Sequence, residues 1–151
     1  MITLSDIWGI LRRCCNSDQL PKGCECFDIT TSTGFTNSLF YKPECPKKLG
    51  INMYYYDRDH NTTSLKIKED LNIILVDWQK GAKAPNYYQA VANTRTVGAM
   101  ISRLLEDLKA HAGAEFETFH LVGHSLGSHI MGYAGKEVYR ANQREGWENN
   151  R

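Results

Sequence analysis

Neither sign of charge is in excess in this chain: 18 lysines and arginines stand against 17 aspartates and glutamates over 151 residues. That balance excludes the basic footprint of a nucleic-acid binder and gives no electrostatic reason to dock on an acidic membrane surface. Long apolar runs are missing as well. Every candidate meets a charge within about a dozen residues, short of the roughly 20 that a transmembrane helix needs. Internal repeats and low-complexity tracts are absent, and the length suits one domain with a real core but not two. The N-terminus lacks the order of a signal peptide, because Arg12-Arg13 follows its apolar stretch and Asp6 interrupts it. This implies that the true start lies elsewhere or that the chain opens on an unusual exon.

Cysteine is absent beyond position 45, and the five present sit at 14, 15, 24, 26 and 45. Such crowding suits a secreted, disulfide-tied N-terminal segment, with local bridges expected among 14, 15, 24 and 26. The odd count leaves at least one thiol unpaired or paired outside the chain. Cys24-Glu25-Cys26 is not a zinc ribbon, since no second C-x-x-C or histidine pair completes it. No metal and no cofactor are expected. One glycosylation sequon, Asn61-Thr62-Thr63, agrees with secretion.

The pattern divides the chain into an irregular Cys-rich segment (1–46), an ordered stretch (47–140) and a polar tail (141–151). "INMYYY" (Ile51–Tyr56) is rich in aromatic and branched residues and predicts a strand. "LNIILVDW" (Leu71–Trp78) is continuously apolar, as a strand buried on both faces should be. From Tyr87, apolar residues recur at helical spacing through Val91, Val97, Ile101, Leu104, Leu105 and Leu108. Asn86 is placed to cap this helix and His111 with Gly113 to end it. "FETFHLV" (Phe116–Val122) predicts a third strand and Leu126 to about Tyr139 a second helix. Strand, helix, strand, helix in that order predicts an α/β fold with a mainly parallel sheet and covering helices.

The third strand runs into Gly123-His124-Ser125-Leu126-Gly127 and then a helix. A serine between two glycines at a strand-to-helix junction is the pattern of a nucleophile turn. The turn exposes the hydroxyl and aims the helix N-terminus at a developing oxyanion, with the Leu126 N–H as first donor. A Cβ at 123 or 127 is expected to clash, and Ser125 to adopt a backbone conformation that most residues avoid. Gly132 and Gly135 are expected to serve close helix–sheet packing. His129 lies one turn beyond Ser125 on the same helix, where it leans away from the hydroxyl, and reads as a buried structural histidine. His120 reads as a strand residue, His124 as the turn's variable position, and His60 as part of a polar loop.

These motifs, from Asn72 to about Val138, resemble the catalytic domain of the pancreatic-type triacylglycerol lipases, which are secreted α/β-hydrolases acting on triacylglycerols or phospholipids. The resemblance rests on Val76-Asp77-Trp78, the helix with "NTRTVGA", and "FHLVGHSLGSHIMGYAGK". It implies a partial α/β-hydrolase fold, Ser125 as nucleophile, Leu126 as an oxyanion donor and a lipid–water interface as partner. It also implies three losses. No His-Gly dipeptide supplies the family's second oxyanion donor, no aspartate follows Ser125, and His129 is the sole histidine after it. The acid and base, which follow the serine in this fold, are therefore absent. Asp77 does not replace them, because triad order and its structural role in the family stand against it. The resemblance thus implies a truncated or internally deleted lipase, inactive alone. Two other readings remain open: a non-catalytic lipid-binding or yolk-type relative, and a generic intracellular esterase or thioesterase.

Overall fold

The computed structural model describes residues 41, 43–57, 71–83 and 85–148. Cysteines 14, 15, 24 and 26, His60 and the Asn61 sequon lie outside the described residues. In chain order the elements are a short helix α1 (Pro46–Leu49), strands β1 (Asn52–Tyr56) and β2 (Ile73–Asp77), helix α2 (Tyr87–Ala112), a 3-10 turn (Phe116–Thr118) and helix α3 (Leu126–Glu148).

Helix α2 forms where its caps and period place it. The Asn86 Oδ1 accepts from the Gln89 N–H at 3.0 Å, satisfying one of the donors that a helix start leaves free. Gly113 ends the helix at φ 66°, a left-handed position that glycine occupies without a Cβ clash. The stripe through Val97, Met100, Ile101, Leu104, Leu105 and Leu108 is buried. Helix α3 crosses it with Ile130 and Ala134 buried in the same core. The approach is close at Gly98, where a Cβ would lie 2.6 Å from the Tyr133 Cβ and 3.0 Å from the Ile130 carbonyl oxygen. Helix α3 runs on to Glu148, past the stop expected near Tyr139. Residues 140–145 include the good helix formers Arg140, Ala141, Gln143, Arg144 and Glu145, which can carry the helix on without an apolar stripe.

The sheet departs from the parallel arrangement expected. Among the described residues it has two strands, and they are antiparallel, with Met53 opposite Val76 and Tyr55 opposite Ile74. The parallel relation required a strand over Phe116–Val122, and none forms there. Local bonds take the place of a ladder: the Glu115 carbonyl accepts from the Thr118 N–H at 3.1 Å and from the Thr118 hydroxyl at 2.7 Å. Phe119 is extended, yet a strand becomes a strand only by pairing with a neighbour. The expectation of burial on both faces also fails. Met53, Tyr55, Ile74 and Val76 face the core, whereas Tyr54 and Leu75, opposite each other on the outer face, are 44% and 42% exposed. No described helix is long and apolar enough to cross a membrane.

Candidate active site

Ser125 sits in the turn that opens α3, with φ 52°. It is the one described residue other than glycine with a positive φ. That conformation crowds Cβ against the backbone and costs about 1–3 kcal/mol unless the surroundings impose it. Here three bonds impose it. The Gly127 N–H donates to the His124 carbonyl at 2.8 Å, the Ser128 N–H to the Ser125 carbonyl at 3.0 Å, and the Ser128 hydroxyl to the Gly123 carbonyl at 3.0 Å. The fold-back is so tight that a Cβ on Gly123 would lie 2.4 Å from the carbonyl carbon and oxygen of Gly127.

The crowding is one-sided. A Cβ on Gly127 would meet nothing within 4 Å, and the same holds for Gly132 and Gly135, correcting the clash and the helix–sheet packing expected there. The described residues place no neighbour against these three positions. Gly132 and Gly135 instead floor a shallow groove of about 600 Å³ with Met131, Lys136, Tyr139 and Arg140, further along the helix than the serine.

Ser125 is exposed, and Leu126 is half-buried with its N–H at the first helical position, where a helix has no internal acceptor for it. The turn thus presents a hydroxyl beside an unspent backbone donor. It presents no base among the described residues. Among the described residues no side chain hydrogen-bonds the Ser125 hydroxyl. His120, His124 and His129 are all exposed. The exposure of His129 corrects its reading as a buried histidine: the core-facing side of α3 carries Ile130 and Ala134, which turns position 129 outward. Asp77 ends β2 with its Oδ1 accepting the Gln79 N–H at 2.9 Å, a turn-capping role away from any imidazole bond. No group of three or more His, Cys, Asp or Glu among the described residues is placed to hold a metal ion.

Residues 52–145, more than half of the chain, match the family model described as Lipase. The chain belongs to the lipase family. Within that family it is similar to pancreatic triacylglycerol lipase of Mus musculus, 47% identical over 73 residues, which is 48% of this chain and 16% of that protein. Lipase member H of Danio rerio is 43% identical over 68 residues, 45% of this chain and 15% of the relative. The human protein named inactive pancreatic lipase-related protein 1 is 44% identical over 70 residues, 46% of this chain and 15% of the relative. The match to each relative thus spans about a sixth of its length. No solved structure matches. Membership in the lipases implies the α/β-hydrolase class of fold, of which the described residues hold the antiparallel strand pair, α2, and α3 with its serine turn.

Sequence reasoning missed Asn93 and Gly98. Asn93 is fully buried and binds across three segments, as described below. "NTRTVGA" was legible as a lipase motif, but the role of its asparagine and glycine depends on what lies opposite them.

Proposed function

We propose that this chain carries the nucleophile turn of a lipase-type carboxylic-ester hydrolase without the groups that would activate it. In this reading Ser125 is the nucleophile, the Leu126 N–H is one oxyanion donor, and Gly123 and Gly127 are the turn glycines. The substrate class is a triacylglycerol or phospholipid at a lipid–water interface. The observation that carries the reading is the left-handed Ser125 at φ 52°, exposed at the start of α3 and braced by Gly123. A serine with no catalytic task gains nothing from that strain.

In the reaction that the turn serves, the Ser125 Oγ attacks the ester carbonyl and its proton passes to a base. The carbonyl oxygen becomes an oxyanion held by backbone N–H groups, and the alcohol leaves with the base's proton. These 151 residues contain no aspartate after Ser125 and, after it, the single histidine His129. Removing triad members leaves only about 10³–10⁴-fold catalysis over water. Loss of one oxyanion donor by itself costs about 10²–10³ in rate. The chain as it stands should therefore turn over no ester at a useful rate.

The partial hydrolase domain is assigned to 47–140, with a Cys-rich segment before it and a polar tail after it. Secretion is part of the proposal, and the disulfide at Cys45 supports it. A second reading, a non-catalytic lipid-binding relative, draws support from the Ser125 hydroxyl having no side-chain partner among the described residues.

Two assays test the proposal. The purified chain and its Ser125→Ala variant should both leave short- and long-chain glycerides unhydrolysed; turnover that disappears in the variant would show that a base reaches the serine. Residues 116–138 grafted over the matching segment of mouse pancreatic triacylglycerol lipase should preserve hydrolysis, and Ser125→Ala in the graft should abolish it. A graft active with alanine at 125 would remove Ser125 from the nucleophile role.

A further inference from the structure

Residues 43–50 form a strap that binds the first half of α2 and the turn after β2. Glu44 fastens it with both of its backbone groups: its N–H donates to the Asn93 Oδ1 at 2.9 Å, and its carbonyl accepts from the Thr96 hydroxyl at 2.9 Å. Its carboxylate is divided. Oε2 accepts from the Asn93 Nδ2 at 3.0 Å, and Oε1 pairs with the Lys48 Nζ at 2.6 Å. Asn93 is fully buried, and its amide is used to capacity. Oδ1 also accepts from the Gln89 Nε2 at 2.9 Å, and Nδ2 also donates to the Gly81 carbonyl at 3.0 Å. Turning the amide over would set donors against donors on one side and acceptors against acceptors on the other, so the network fixes its orientation. At the other end of the strap, Leu49 is 0% exposed and seated in the core.

We propose that this strap is an acid-sensitive clasp: ionised Glu44 holds residues 43–50 against α2, and protonation of its carboxyl loosens them from Asn93 and from the core seat of Leu49. Of the groups set against the Glu44 network, Lys48 of α1 carries charge, while Asn93, Thr96 and Gln89 of α2 and the Gly81 carbonyl are neutral. A proton on Oε1 would face the Lys48 ammonium, and a proton on Oε2 would face the Asn93 amide hydrogens. Either placement opposes two donors and removes a bond. The Lys48 hydrogen bond, against the opposing effect of burial and with help from Asn93 and the Lys48 charge, holds the carboxyl below its ordinary value of 4.5. The sign follows. The folded value lies below the unfolded one, so the stabilisation is complete above 4.5 and fades as pH falls through the folded value.

The test is amide hydrogen exchange on the full chain by mass spectrometry, at about pH 6 and pH 3 and corrected for intrinsic rates, comparing residues 43–50 with residues 97–108 of α2. Protection of 43–50 should fall about five-fold more than that of α2, the difference between a charge-assisted and an ordinary hydrogen bond. In Glu44→Gln, neutral at both pH values, the extra fall should vanish. If that variant does not fold, Lys48→Met serves: the loss of protection should begin at higher pH, because the lysine no longer favours the ionised carboxylate. Parallel losses in wild type and Glu44→Gln, a uniform loss along the chain, or an unchanged onset in Lys48→Met would overturn the clasp.

Discussion

In helix α2 the buried polar residues Asn93, Thr94, Thr96 and Ser102 all find hydrogen-bond partners. The strand pair and the approach to Ser125 contrast with it. Tyr54 and Leu75 stand nearly half exposed on the outer sheet face, and residues 119–124 have no ladder partner among the described residues. The difference follows from where the bonds come from. A helix satisfies its backbone within one segment, while a strand depends on neighbours that can lie far away in sequence. The serine divides along the same line. Its turn is built from local bonds among residues 123–128, whereas an activating acid and base, if the proposed role holds, must reach it from outside that local segment.

The largest effect should come from striking the completed half at its hub. Asn93→Ala leaves the Gly81 carbonyl and the Glu44 N–H without their partner, and about 3 kcal/mol or more of stability should be lost in urea unfolding. A loss under about 1 kcal/mol would show that α2 does not depend on the network. Next in size is Gly98→Val, which drives a Cβ into Tyr133 of α3 and should destabilise the helix pair by about 1–3 kcal/mol, read from the same unfolding curves. Ser125→Gly should run the other way. Glycine adopts φ 52° freely, so the chain should gain about 1 kcal/mol, and a neutral or destabilising result would mean that the turn is not strained. The smallest effect belongs to the open sheet face. Leu75→Lys should change stability by less than about 0.5 kcal/mol while reducing light scattering at high concentration, since Leu75 is 42% exposed on the outer sheet face and outside the core.

The parts legible in the sequence are those coded locally. Asn86 and Gly113 cap α2 as their residue types suggest, and the Val97-to-Leu108 spacing marks its buried stripe. Gly123-His124-Ser125-Leu126-Gly127 announces the left-handed serine for the same reason. The parallel sheet was not legible, because Phe116–Val122 has the apolar composition of a strand but no partner among the described residues. Gly132 and Gly135 were assigned to packing against a layer that the described residues do not supply. Asn93 was invisible as a hub because its partners, Glu44 and Gly81, lie 49 and 12 residues away.

The central claim is that Ser125 has the geometry of a lipase nucleophile and lacks its activation. Treatment of the folded chain with a fluorophosphonate, followed by intact-mass analysis, tests it most directly, with whole pancreatic triacylglycerol lipase as the positive control. A serine without an oriented base stays protonated and weakly nucleophilic. The account predicts no adduct on this chain over the period in which the control is fully labelled. A stoichiometric adduct located at Ser125, absent from Ser125→Ala, would contradict it.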